Sequence, residues 1–451
     1  MKHKLVPVAA ALLTALASYN VAAESATDII TDGWEVHGYG SMNLRFDENF
    51  ATFDGDMGKE DYRYANTATS ESTNQVEFVI KKHTEFQNGV YSDFVIRSEY
   101  GNGNTHAYSS EGSQKKNTDA QFEIKEAYVA LGNLPYLPAN SEIWGGQRFL
   151  NRAAGILTGE FWKQSSGVGA GLEMNLDSGH KTGVAMMSVD PDAGAGFVIN
   201  EGDDGNQTIA PDYSDERQTV TSLDFYYYGV EALGGSFDFD LKLMRASRTN
   251  PEVGSDDADR GIGGSITYNR DFYGFDGWTQ TAIGYGTGLA SNRGVNFGSW
   301  SGGGAFSEDS KSLFITSYGV ANIGSNWQLG TEITYWAPEN VDWGITGDRT
   351  DEVERLIIAA RPTYKVNDNL RLEFTGSYAI EDLNQKAWGR SDEKTAFYSL
   401  EAASVFTVNA DYFGRPQIKP YVTWFGADDE AAANNGDKSQ FVFGVHTEIW
   451  F

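Results

Sequence analysis

The sequence predicts an all-β protein: a transmembrane antiparallel β-barrel of about 18 strands, with short periplasmic turns, long extracellular loops and one loop folded into the lumen. Three observations predict it. In the closing stretch from Gln440, the residues Phe441, Phe443, Val445, Ile449 and Phe451 fall on one side, with Thr447 their only polar member. Gln440, Gly444, His446, Glu448 and Trp450 fall on the other, with Val442 the only aliphatic one. A period of two means a strand with one apolar and one wet face. Such a strand in lipid has to close against another, because an unpaired backbone edge is not tolerated there. The second observation is at the start. Lys2 and Lys4 precede an apolar run from Leu5 to Leu16, then the small-residue pattern Val21-Ala22-Ala23. That is a cleaved signal peptide over residues 1–23, leaving 24–451 as a single barrel domain. The third is the spacing between strands, alternately short and long.

Composition agrees. Hydrophobic residues make up only 40% of the chain, low for a lipid-embedded protein unless alternate residues alone meet lipid. The 51 glycines and 13% aromatics suit tight turns and interfacial girdles. The formal charge of −29 becomes about −31 without Lys2 and Lys4, a field that repels nucleic acid and anionic solutes and suits neutral or cationic ones. With no cysteine, disulfide scaffolds and thiolate sites are excluded.

In chain order, strands are expected to begin near Trp34, Thr73, Val90, Ala120, Ser141, Gly167, Lys181, Arg217, Ser236, Arg260, Trp278, Lys311, Asn326, Val353, Asn369, Lys394, Pro416 and Gln440. Phe237, Phe239, Leu241 and Leu243 oppose Asp238, Asp240, Lys242 and Met244. Leu370, Leu372, Phe374 and Tyr378 oppose Arg371, Glu373, Thr375 and Ser377, with a register slip after Phe374. Gln87-Asn88-Gly89, Gly234-Gly235 and Asp276-Gly277 read as tight turns, because glycine and asparagine accept positive φ. The stretch 150–166, with Arg152, Glu160, Phe161, Trp162 and Lys163, reads as the loop that narrows the lumen: mixed charges set a pore field, and aromatic faces stack on a solute. An ordinary extracellular loop with solvated charges is the other reading of the same residues.

Trp144-x-Gly-x-x-Phe149 with Arg148 and Arg152, then Gly167-Val-Gly-Ala-Gly-Leu-Glu173, resembles the maltoporin family of sugar-specific outer-membrane porins. His37-Gly38-Tyr39, Arg361-Pro362-x-Tyr364-Lys365, Arg415-Pro416 before Val422-Thr423-Trp424, and Phe443-Gly444 leading to Glu448-Ile449-Trp450-Phe451 add to it, collinear over nearly the whole mature chain. The resemblance implies an 18-stranded homotrimer in the outer membrane, surrounded by lipid and lipopolysaccharide. It implies passage of maltose and maltodextrins along a line of lumen aromatics beside an ionisable track, and no cofactor. Residue by residue, it implies Tyr39, Phe161, Trp450 and Trp278 as pore aromatics. It implies Glu77, Lys125, Arg148 and Arg152 as track or constriction residues, to which the charge pattern of the stretch 150–166 adds Glu160. Ser41, Gln75, Ala154 and the pair Arg355/Leu356 depart from the family pattern, so several stacking steps are expected to be missing or moved.

Plainer readings stand beside these. Tyr39 and Trp450 also suit an interfacial girdle. Arg148, Arg152 and Lys125 also suit a structural offset to an acidic lumen. Trp162, Trp300 and Trp343 suit loop packing, and the acidic runs Asp203-Asp204 and Asp256-Asp257-x-Asp259 suit solvated surface more than a calcium site. The histidines at 3, 37, 83, 106, 180 and 446 accompany no G-x-S-x-G element, so catalysis is not expected. A general diffusion porin for small neutral or cationic solutes is the alternative to a saccharide channel. Sucrose, a β-glucoside or a marine oligosaccharide are alternatives to maltodextrin.

Overall fold

The computed structural model describes residues 29–51, 62–71, 74–101, 121–189, 197–201, 207–211, 218–248, 257–298, 306–343, 345, 350–432 and 437–451. Residues 1–23, the expected signal peptide, and Asp203, Asp204, Asp256 and Trp300 lie outside them. The barrel strands are β1 (Ile29–Asp47), β2 (Asn74–Phe86), β3 (Tyr91–Gly101), β4 (Gln121–Gly132), β5 (Ser141–Ala154), β6 (Phe161–Asn175), β7 (Lys181–Val189), β8 (Gln218–Ala232) and β9 (Gly235–Arg248). They continue as β10 (Arg260–Phe272), β11 (Phe275–Gly288), β12 (Phe306–Ile323), β13 (Trp327–Val341), β14 (Glu354–Asn367), β15 (Leu370–Asp382), β16 (Lys394–Thr407), β17 (Gln417–Ala427) and β18 (Ser439–Trp450). Each pairs antiparallel with its neighbours, and β18 returns to β1 in the register Tyr39↔Trp450 through Asp47↔Val442. That is a closed 18-strand barrel without a free edge.

Alternation decides which face each side chain takes. On β18, Phe441, Val445 and Ile449 are exposed outward, whereas Val442, His446 and Glu448 are buried within. On β9, Phe239, Leu241 and Leu243 face out, and Met244 and Lys242 lie within. An exposed aliphatic band around a polar interior is the inverse of a soluble protein, and it places hydrocarbon outside.

The register slip expected after Phe374 is absent. Pairing of β15 with β16 runs unbroken from Leu370↔Phe406 to Asp382↔Lys394, with Gly376 merely holding an outward place between Phe374 and Tyr378. The turn expected at Asp276-Gly277 falls three residues earlier. Tyr273 and Gly274 carry φ of 50° and 93°, as Leu233 and Gly234 carry 54° and 78°. Two consecutive positive φ values twist a two-residue turn with the strands it joins. The stretch 150–166 is also mostly strand: β5 runs to Ala154 and β6 begins at Phe161, so the loop proper is 155–160. It does fold inward. The hairpin tip leaves the wall and crosses the bore, as the contacts below require.

Candidate functional site

The interior divides into a packed side and a half-open side. On the packed side three segments enter the bore. The tip 155–160 docks on β13: the N–H groups of Leu157 and Thr158 donate to Glu332 Oε2 at 2.7 and 3.2 Å, and the Thr158 hydroxyl donates to Oε1 at 2.5 Å. Glu332 is buried, so these donors replace the water its carboxylate has lost. The segment 289–297 lies along the start of β6, where Asn296 Nδ2 donates to the Phe161 carbonyl at 2.6 Å. Its Arg293 donates to Glu160 through Nε at 3.0 Å and stacks over Trp336 at 4.1 Å. The segment 62–70 ends in α1 (Thr67–Ser70), capped by Asn66, whose side chain accepts from Thr69 N at 2.8 Å. Thr67 N and Oγ1 donate to Glu401 at 2.6 and 2.7 Å, and Asn43 Nδ2 donates to the Thr67 carbonyl at 2.8 Å.

Charges on this side close on one another. Lys419 bridges Glu373 and Glu401 at 2.9 and 3.1 Å, Lys163 meets Asp240 at 2.6 Å, and Lys242 meets Asp224 at 2.6 Å. Aromatics pack here as well. Trp162 stacks on Phe314 at 5.8 Å and donates to the Tyr318 hydroxyl at 3.3 Å, pinning the hairpin to β12. Trp343 packs on Trp336 at 5.2 Å.

The half-open side runs over β1 to β5. Arg97 bridges Glu77 at 3.2 Å and Glu126 at 2.7 Å. A register break between Arg97 and Ser98 opposite β4 leaves Lys125 bulged, with its ammonium on Glu123 and 3.8 Å from Glu99. Glu126 also accepts from Phe149 N at 2.9 Å. Next to this track, the Arg152 guanidinium lies between two rings, 4.5 Å from the Phe149 centroid and 4.1 Å from that of Phe161. Arg152 is exposed, and it has no carboxylate within 4 Å among the described residues. Further toward the turns, Tyr39 faces inward across the pair with Trp450, and Arg415 sits 5.2 Å over the Trp450 ring.

The structure thus brings Glu77, Lys125, Arg152 and Phe161 together, and Tyr39 with Trp450. It does not bring Arg148, Glu160 or Trp278 into those groups. Arg148 pairs with Glu173 at 2.7 Å between the rings of Tyr128 and Trp144. Glu160 is buried against Arg293. Trp278 is in a cavity of about 330 Å³ at the short-turn end, stacked on Phe413 at 6.3 Å and edge-on to Tyr318 at 6.3 Å. Asp411 is on that cavity's rim. The Lys365 ammonium beside it holds its carboxyl below the ordinary carboxylate range, so that carboxylate stays ionised at neutral pH as one half of an ion pair.

The departures from the expected pattern have local partners. Gln75 donates to Glu77 at 2.8 Å instead of offering a ring, and Ser41 bonds His446 at 2.9 Å. Arg355 pairs with Glu381 at 2.7 Å, and Leu356 pairs with Tyr335 and Ile380 on the outer face. Sequence reasoning missed Arg97, Glu126, Glu332, Arg293 and Phe413. The first three carried a signal, being charges at inward places of alternating strands. The last two lie in loops and carried none.

A closed barrel with an aliphatic outer band and a charged interior, narrowed by inward segments, is an outer-membrane channel. The chain belongs to the LamB porin family, which matches residues 37–451. It is 22% identical over 350 residues to a maltoporin of Vibrio cholerae serotype O1 (strain El Tor Inaba N16961), covering 74% of this chain and 77% of that one. It is 22% identical over 406 residues to the maltoporin of Hahella chejuensis, covering 86% and 91%. Among solved structures it is similar to a BenF-like porin from Pseudomonas fluorescens Pf-5, at 11% identity and a TM-score of 0.47 over 93% of this chain and 98% of that one.

Proposed function

We propose that this channel carries saccharides by facilitated diffusion along the half-open side. The observation that carries the reading is the juxtaposition at the narrowing: the rings of Phe149 and Phe161 beside the ionic track of Glu77, Arg97, Glu126 and Lys125. A pyranose has an apolar face for the rings and hydroxyls for charged partners. Weak sites in series let it advance by small exchanges instead of one full desolvation. Tyr39 and Trp450 provide a further pair of rings, and Trp278 with Phe413 an exit surface. In this reading Arg152 is a track residue with its N–H edge toward the solute, and Glu160 fixes the hairpin without touching sugar. The protein acts as a homotrimer, not as an enzyme, and the relatives named maltoporins make maltodextrin the first solute to try.

A general diffusion pore is favoured by two specific features. Gln75 stands in place of a ring, and the Arg152 guanidinium covers both phenyl faces. Single-channel recording with maltotriose separates the two readings. Saturable current block supports the saccharide channel, and linear, sugar-blind conductance supports the diffusion pore.

A further inference from the structure

On the outer wall, at the end where the long connections lie, the register aligns Ser188, Thr221, Arg245 and Arg260 in one cross-strand row over β7 to β10. Two residues toward the membrane, the next row on the same face is Met186, Leu223, Leu243 and Ile262, wholly apolar. Met186, Leu243 and Ile262 are exposed, as lipid-facing side chains are. The upper row therefore sits at the headgroup level, and every member is a hydrogen-bond donor.

Two arginines directly opposite on one face repel each other. In a chain of net charge −29, such a pair without full compensation is out of character. Arg260 has Glu308 at 3.5 Å, a pair open to solvent on both sides. Arg245 is exposed and has no carboxylate within 4 Å among the described residues. Ser188 and Thr221 hydroxyls bond each other at 2.8 Å and leave lone pairs and one donor beside the guanidinium. Guanidinium forks match phosphate oxygens in bidentate fashion.

We propose that Arg245 and Arg260 form a site for the phosphate monoester of an outer-leaflet glycolipid, whose acyl chains lie along Met186, Leu223, Leu243 and Ile262. The bound phosphate cancels the arginine repulsion, and the apolar row beneath selects a lipid over a soluble phosphate.

The test is native mass spectrometry of the detergent-solubilised protein with diphosphoryl lipid A, with its dephosphorylated form, and with inorganic phosphate. Retention of the diphosphoryl lipid alone is expected. Arg245→Gln with Arg260→Gln should weaken it by about tenfold or more, the loss of a charge-assisted contact. The lysine pair Arg245→Lys with Arg260→Lys should keep part of it. Should the double glutamine variant not fold, Arg245→Gln alone carries the test, since that side chain has no ion-pair partner among the described residues. Equal retention of the dephosphorylated lipid, retention unchanged in the glutamine variants, or equal capture of inorganic phosphate would each overturn the proposal. So would a loss of oligomers in those variants with lipid retention intact, which would make this face a contact between copies.

Discussion

The two sides of the bore use the same residue types for different ends. Across β8 to β17 nearly every inward charge is buried against a partner, and loops fill the space between: Lys419 with Glu373 and Glu401, Lys242 with Asp224, Arg293 with Glu160. Across β1 to β5 most charges pair as well, Arg152 excepted, but Arg97, Lys125 and Lys81 stay about a quarter to a third exposed (28%, 28% and 30%). A buried pair is costly to break because it strands an unpaired charge away from water. An exposed pair exchanges readily with solvent or solute. The packed side therefore sets the shape of the channel, and the half-open side meets what passes.

That comparison can be broken most forcefully at Arg293. Arg293→Ala leaves Glu160 buried and alone, and should cost about 3–5 kcal/mol in thermal or urea unfolding from micelles. Glu332→Ala is next. It strands the Leu157 and Thr158 N–H groups at about 1–3 kcal/mol each, freeing the hairpin tip, and single-channel conductance should rise. If either variant kept both wild-type stability and conductance, the packed side would not be the scaffold.

On the half-open side the effects move to the solute. Tyr39→Ala should weaken maltotriose block by about 1–3 kcal/mol, the scale of one lost ring stack, and leave the channel open. Arg152→Ala sharpens the choice between readings. A track residue loses a charge-assisted bond to sugar, so block should weaken by about 1.5 kcal/mol with unfolding unchanged. A tighter block would mean instead that the guanidinium masks the phenyl faces. The smallest effect belongs to Lys125→Gln, which should shift the reversal potential in a salt gradient modestly toward cations, weaken sugar block only slightly and leave stability unchanged.

Much of the barrel was legible because lipid and water impose a period of two on every strand. All 18 expected starts fall within six residues of the observed ones, the widest misses being β1, β6 and β12. β6 begins in the hairpin that leaves the wall, and β1 and β12 begin with register breaks at Ile29/Thr31 and Phe306/Lys311, where alternation no longer discriminates. Tyr39 and Trp450 were placed inward by the period of two, whereas Glu77 came only with the family resemblance. The narrowing was harder to read. Leu157 meets Glu332 across 175 residues of chain, and Thr67 meets Glu401 across 334. Neither contact leaves a periodic trace, so the segment 62–70 went unrecognised as an inward element. Glu160 and Trp278 looked like pore residues by type and by neighbourhood, but their partners Arg293 and Phe413 come from loops.

The chain has no cysteine, so single introduced thiols give an unambiguous map of the aqueous path. Gln75→Cys, Val79→Cys and Ser222→Cys, Thr375→Cys should be compared in planar bilayers exposed to a charged methanethiosulfonate reagent. Stepwise current loss for the first two and none for the second two is the predicted result. Equal reaction on both sides, or reaction only at Ser222→Cys and Thr375→Cys, would contradict a path that passes the narrowing along the wall of β1 to β5.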